Sequence, residues 1–289
     1  MGDRRDGTWI RDVDPLHAIS PYIMPNRADN EAFIREQVDI TNLLAFLERK
    51  NAKLAVEPGE KPFPYTLFHV ICAAIVKTVV LRPHMNRFIQ GKRMYQRNHI
   101  SLAFVVKKEF KEESHEALAF IVFDENSTVD SVHESIKKEV RSARSEKNDN
   151  TTDAMETLMK IPRFIMRPLV AILRSLDFYG RVPLSLVKTD PNYASVFISN
   201  LGSIKLNAAY HHLNNWGTNS AFLVIGEKHI VPIFDAQGNM SMRPVVELGM
   251  TLDERISDGY YYSKTIQLFK HLLNHPELLE SEAWKVVAL

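Results

Sequence analysis

Leu252-Asp253-Glu254-Arg255-Ile256-Ser257-Asp258-Gly259 is the stretch on which the reading of this chain turns. Before it, Pro244 to Leu252 is rich in Val, Leu and Met and reads as a strand. After it, Ile266, Leu268, Phe269 and Leu272 fall on one face of a helix from about Gly259 to His271. A short polar turn with three carboxylates therefore joins the end of a strand directly to the last helix.

The surrounding elements mix both types. Upstream, Ala194 to Ile198, Ser220 to Ile225 and Ile230 to Phe234 read as three strands. Asp235-Ala236-Gln237-Gly238-Asn239 is a turn, which predicts antiparallel pairing of 230–234 with the next strand. Nearer the start, residues 33–39 read as a strand. Asp39 or Thr41 can cap a helix with Leu43, Leu44, Phe46 and Leu47 on its apolar face. Leu67 to Leu81, between Pro64 and Pro83, is apolar enough for a buried helix and too short and interrupted for a membrane span. A hairpin is expected around Gln90-Gly91, and strands at Ile100 to Val106 and Ala117 to Phe123. Val129, Val132, Ile136 and Val140 are spaced as an amphipathic helix. Ser142 to Asp153 reads as an exposed loop. The order is α+β: a mixed β-sheet with flanking helices in one domain.

Composition bounds the function. The 289 residues carry 36 Lys or Arg against 35 Asp or Glu, a formal net charge of +1, so no charge excess attracts nucleic acid or an anionic membrane. No nucleic-acid motif and no glycine-rich phosphate loop is present. The single Cys72 excludes a disulfide framework and a Cys-based zinc site, and no metal is expected. Met1-Gly2-Asp3-Arg4-Arg5-Asp6 is charged and lacks a following apolar region, so a signal peptide is not expected; Asp6 argues against myristoylation. A cytoplasmic protein is the expectation.

Five stretches, in order, carry a resemblance. They are Val38-Asp39-Ile40-Thr41 with its helix; Phe63 to Leu81 followed by Arg82-Pro83 and Asn86-Arg87-Phe88; Ser199-Asn200-Leu201-Gly202; the acidic turn ending Asp258-Gly259; and His275-Pro276-Glu277-Leu278-Leu279. Together they resemble the chloramphenicol acetyltransferases and the dihydrolipoyl acyltransferase catalytic cores of 2-oxoacid dehydrogenase complexes. The resemblance spans most of residues 15–280, leaving 1–14 as an N-terminal extension and 15–289 as an acyltransferase-like catalytic domain. No lipoyl or subunit-binding domain is recognised ahead of the core, unlike an ordinary subunit of those complexes.

The resemblance implies a homotrimer with active sites between subunits, coenzyme A as the acyl carrier and a small-molecule acceptor bearing an amine, hydroxyl or thiol. It implies a His general base, a Ser or Thr oxyanion donor and a supporting Asp. Ser199 matches the donor. Asp258 matches the support, with Arg27 as its expected partner. Glu254 stands where the family places His. With reference pKa values of about 4.3 for Glu and 6.5 for His, an untuned carboxylate is weaker by roughly 3 kcal/mol of proton affinity. Three accounts stay open. Glu254 is a base tuned by burial; or His211 or His212, which follow the Ser-Asn-Leu-Gly turn, has taken the role; or the chemistry is lost and a trimeric small-ligand-binding or scaffold protein remains.

Each of these residues has an ordinary structural alternative. Glu254 can be a solvated turn residue, Ser199 a turn former, and His211 and His212 surface residues. His69, inside the apolar helix, reads as a hydrogen-bonded core histidine. Tyr260 to Tyr262 read as a subunit contact. Residues 155–186 look like an amphipathic insertion. On one helix Lys160, Arg163, Arg167 and Arg174 fall within about 60° of one another, opposite Ile165, Ile172, Leu173 and Leu176, with Pro168 expected to kink or split it. Packing on its own core, covering an acceptor tunnel or rimming it for coenzyme A phosphates, and lying on a membrane surface are its three readings; membrane attachment is the least expected.

Overall fold

The computed structural model describes residues 2–55, 61–107, 116–145 and 161–288. Among the described residues, nine strands form two sheets. β1 (Gly7–Trp9), β3 (Arg87–Gln90) and β4 (Arg93–Arg97) make a small sheet in the order β1-β4-β3. β2 (Glu31–Asp39), β5 (Ile100–Lys107), β6 (Glu116–Phe123), β7 (Val196–Asn200), β8 (Ala221–Phe234) and β9 (Met240–Asp253) make the main sheet in the order β2-β9-β8-β7-β5-β6. β7 runs parallel to both β5 and β8, while the other pairs are antiparallel. The expected mixed sheet is therefore present.

Helices cover one face of this sheet. They are α2 (Thr41–Ala52), α3 (Leu67–Leu81), α4 (Val129–Ser145) and α7 (Gly259–Asn274). The strand period of two sends Leu102, Phe104, Val106, Leu223, Ile225, Leu248 and Met250 into that core, where α3 is almost wholly buried. His69 caps α3 from within: its Nδ1 accepts the Thr66 N–H at 3.0 Å. Three helices lie elsewhere: α1 (Pro15–Ile23), α5 (Arg163–Phe178) and α6 (Leu184–Thr189).

Several boundaries differ from the sequence reading, each for a local reason. Residues 221–234 form one long strand rather than two, because β8 absorbs Gly226-Glu227 as an irregularity between Ile225 and Lys228. α4 extends to Ser145, so Ser142 to Ser145 is helical; polar residues continue a helix whose apolar stripe is already seated. The rest of the expected loop, 146–153, and the start of the insertion, 155–160 with Lys160, lie outside the described residues. Pro168 does not split α5, which runs through it. The N-terminal extension contributes β1 and a buried Arg4, which pairs with Asp6 and with Asp177 on α5 at 2.8 Å each.

Candidate functional site

The opposite face of the main sheet carries Ser199. It sits on β7, half-buried, on the same outward-pointing row as Phe197. Phe197 stacks on Phe222 of β8 at 4.9 Å, and Phe222 in turn carries the His211 ring at 4.2 Å, nearly parallel to it. His211 stacks on His212 at 4.5 Å. The histidines come from residues 205–219, which cross the outer face of the sheet without regular structure. Two glycines make this crossing possible. Side chains at Gly226 and Gly249 would collide with the backbone of Ala208 and Ala209. The crossing segment is further pinned where the Leu213 N–H donates to the Glu31 carboxylate on β2 and where Tyr210 meets Phe33 edge-on.

Ser199, His211 and His212 line one cleft of about 250 Å³, together with Phe222, Asn214 and Asn219. The Asn219 amide is spent on the carbonyls of Ala194 and Ala221 and so fixes the cleft wall. The His211 ring has a defined proton arrangement. Its Nδ1 lies 2.8 Å from the His212 carbonyl oxygen. A carbonyl only accepts, so Nδ1 bears the proton, and in the neutral ring Nε2 keeps a free lone pair.

The acidic turn has a different character. Asp253, at the end of β9, is fully buried. Arg255 grips it with two hydrogen bonds of 2.8 and 2.7 Å, and Arg27 approaches it at 3.6 Å. Burial pushes the Arg27 guanidinium down from its ordinary range against the pull of Asp253. Arg255 also donates to the carbonyls of Met24 and Pro25, tying the end of α1 to the turn. Glu254 is exposed; its N–H donates to the Asn30 carbonyl at 2.9 Å, and its carboxylate makes no hydrogen bond or ion pair with the described residues. Asp258 caps α7 by accepting the Tyr261 N–H at 2.7 Å.

The architecture on which these residues sit is a known one. The chain has the fold of the coenzyme A-dependent acyltransferases. Over 92% of its length it superposes on 94% of a probable dihydrolipoamide acetyltransferase from Listeria monocytogenes, with TM-score 0.60 and 14% identity. The cubic core of a pyruvate dehydrogenase multienzyme complex matches with TM-score 0.55 and 17% identity, covering 93% of each chain. A chloramphenicol acetyltransferase matches with TM-score 0.50 and 12% identity, covering 91% of this chain and 95% of its own. In sequence, residues 185–280 match the family of 2-oxoacid dehydrogenases acyltransferase (catalytic domain). No curated protein sequence matches the chain. The matched segment includes Ser199, His211, His212, Glu254 and Asp258.

Within this acyltransferase fold, the expected site residues separate into two groups. Ser199 and the two histidines share the outer cleft. Glu254 and Asp258 lie elsewhere. Ser199 is level with Val224 and Val224 with Gly249. From Gly249 to Glu254 the chain advances roughly 17 Å at strand rise, with two strand spacings to add. Ser199 and Glu254 of one chain therefore do not face one reacting centre. The expected Arg27–Asp258 pair is not formed: Arg27 meets Asp253, because Asp253 points inward from the strand end while Asp258 is committed to capping α7. Asp253 and Arg255, which hold the turn, escaped the sequence reading. Their signal was an Asp two residues before an Arg at the end of an apolar strand, which alone does not distinguish a buried pair from a solvated one.

Among the described residues, no group of three or more His, Cys, Asp and Glu is placed to hold a metal ion, and no helix is long and apolar enough to cross a membrane. Tyr262 is buried, its hydroxyl donating to the Asp253 carbonyl at 2.7 Å; Tyr261 stacks on His84; Tyr260 is exposed. α5 is largely exposed, with Asp177 its one buried residue, so it does not pack as a core helix.

Proposed function

We propose that the protein is an enzyme that transfers an acyl group from a coenzyme A thioester to a small amine, hydroxyl or thiol acceptor, working as a homotrimer. The observation that carries this reading is the shared cleft of Ser199 and His211. The His211 Nε2 lone pair takes the proton of the acceptor as it attacks the thioester carbonyl. The Ser199 hydroxyl donates to the oxyanion of the tetrahedral intermediate. On collapse the carbon–sulfur bond breaks, and the departing thiolate recovers the proton from the imidazolium. Neither a carboxylate base nor a metal is needed for these steps. His212 stacks on His211 and holds its ring by the backbone carbonyl.

Glu254 then has a different place. Exposed on its own chain and remote from Ser199, it serves a site only across a subunit boundary, where a carboxylate suits an acceptor carrying an ammonium group. The competing reading, a trimeric ligand-binding or scaffold protein without turnover, draws on one observation: the carboxylate standing where the resemblance expects imidazole is exposed and has no partner among the described residues.

The test is thiol release from acetyl-coenzyme A and from octanoyl-coenzyme A, each with a mixed panel of amine, alcohol and thiol acceptors. Turnover is expected, and His211→Gln is expected to lower kcat/KM by about 10²–10⁴-fold, the range of a general base. Absence of turnover with every acceptor rejects the enzyme reading. Turnover that survives His211→Gln but is lost in Glu254→Gln returns the role of base to the carboxylate.

A further inference from the structure

Ser199 borders a second cleft. This one opens on the other side of the β7 end, between the N-terminal part of α3, the α4 helix and the end of β5, and has a volume of about 490 Å³. That lies within the roughly 300–1,000 Å³ usual for small-molecule sites. Its walls are apolar: Phe63, Phe68, Phe104, Val106, Ile136 and Val140 contribute most of them. Its polar groups are Ser199, Asn200 and Ser203 of the β7 end and the turn after it, and Thr66 and His69 at the start of α3, which are hydrogen-bonded to each other. Ser199 and Val105 line both clefts, so the histidine cleft and the apolar cleft meet at the Ser199 hydroxyl.

We infer that this second cleft receives the acyl chain of the thioester, and that the chain is a medium-length aliphatic one rather than acetyl. The inference rests on the proposed transfer chemistry for its orientation. With the thioester carbonyl at Ser199, one substituent of the carbonyl carbon faces His211 and the acceptor, and the other leads into the apolar cleft. An acetyl group leaves that apolar surface to water. A chain of several methylenes covers it, and each methylene removed from water strengthens binding by about fourfold. The wall is assembled from three separate elements, and Phe68 meets Phe104 edge-on at 5.0 Å, a packed aromatic back wall rather than a loose surface dent.

Binding of the stable thioethers octyl-coenzyme A and ethyl-coenzyme A, measured by isothermal calorimetry, tests this without requiring turnover. With even half of the additional methylenes in the cleft, octyl-coenzyme A is expected to bind about 60-fold more tightly. Val140→Phe, which fills the cleft, is expected to bring that ratio to within about threefold. Ile204→Trp, at an exposed position of the same cleft, serves if Val140→Phe melts early. Equal affinity of the wild-type protein for the two thioethers overturns the inference. So does a ratio that neither filling variant changes. Acyl transfer with an octyl-to-ethyl ratio of one leaves the proposed activity standing and removes the chain site. A large ratio without transfer to any acceptor does the reverse.

Discussion

At the scale of single residues, burial decides which titratable groups matter for stability. His69 lies in the core with Nδ1 committed to the start of α3, and burial, aided by the nearby His133, pushes its pKa down to about 3. In the unfolded chain the same ring titrates near 6.5. The folded protein therefore binds fewer protons than the unfolded one between about pH 6.5 and pH 3. Stability rises with pH across that window and is lost as the pH falls through it, by up to about 1.4 kcal/mol per pH unit from this residue. Urea unfolding midpoints of wild type and His69→Gln, measured between pH 7 and pH 4.5, should show a shallower acid slope in the variant. Parallel slopes would show that His69 does not drive the acid sensitivity. This histidine was legible in the sequence, because a His inside a continuous apolar helix has few roles except a hydrogen-bonded core position. The Arg27–Asp253–Arg255 cluster was not. Which of Asp253, Glu254 and Asp258 turns inward depends on the pleat of β9 and on where the helix cap falls, and both are set by tertiary packing.

At the scale of elements, period and punctuation located most strands and helices. The pattern fails where chemistry outside the element sets its length, as in β8, where a bulge carries the strand past Gly226, and in α4, which outruns its apolar stripe. The N-terminal segment and α5 illustrate a linkage that no local pattern reveals. Arg4, charged and buried, binds Asp6 beside β1 and Asp177 near the end of α5, and Gln90 donates to the same Asp177 carboxylate at 2.6 Å. Burial holds the Asp177 carboxyl above its usual range in spite of Arg4. Removing the guanidinium leaves two buried acids facing each other. Arg4→Met should therefore cost about 3–5 kcal/mol and lower the midpoint of thermal unfolding on the order of 10 °C. Limited proteolysis should then cut first within 163–178, since α5 has little other attachment among the described residues. An unchanged melting curve would show that α5 is held by its apolar residues instead.

At the scale of the whole molecule, the outer face of the main sheet is unfinished in a single chain. Phe33, Val105 and Val122 are exposed on it, the row through Phe197 and Phe222 is only partly covered, and the cleft of Ser199 opens there. Scattered exposed apolar residues need no explanation, but a sheet face that carries both aromatic rows and a cleft lined by Ser199 and two histidines does. The separation between Ser199 and Glu254 points the same way. Well over 15 Å divides them along β9, so if both face one reacting centre they come from different chains. If chains associate through this face, a second chain reaches the cleft mouth, and the exclusion of water there strengthens every polar contact made in the cleft. In solution the protein should then have the mass of three 33.2 kDa chains, with an interface above about 1,000 Å² per contact. Light scattering after size exclusion reads the mass directly. Val122→Arg places a charge on this face without touching either cleft, and it should shift the mass to that of one chain and lower transfer with it while leaving the circular dichroism unchanged. A monomer that transfers acyl groups at the wild-type rate would show instead that one chain holds a complete site, in which case Glu254 has no part in the chemistry.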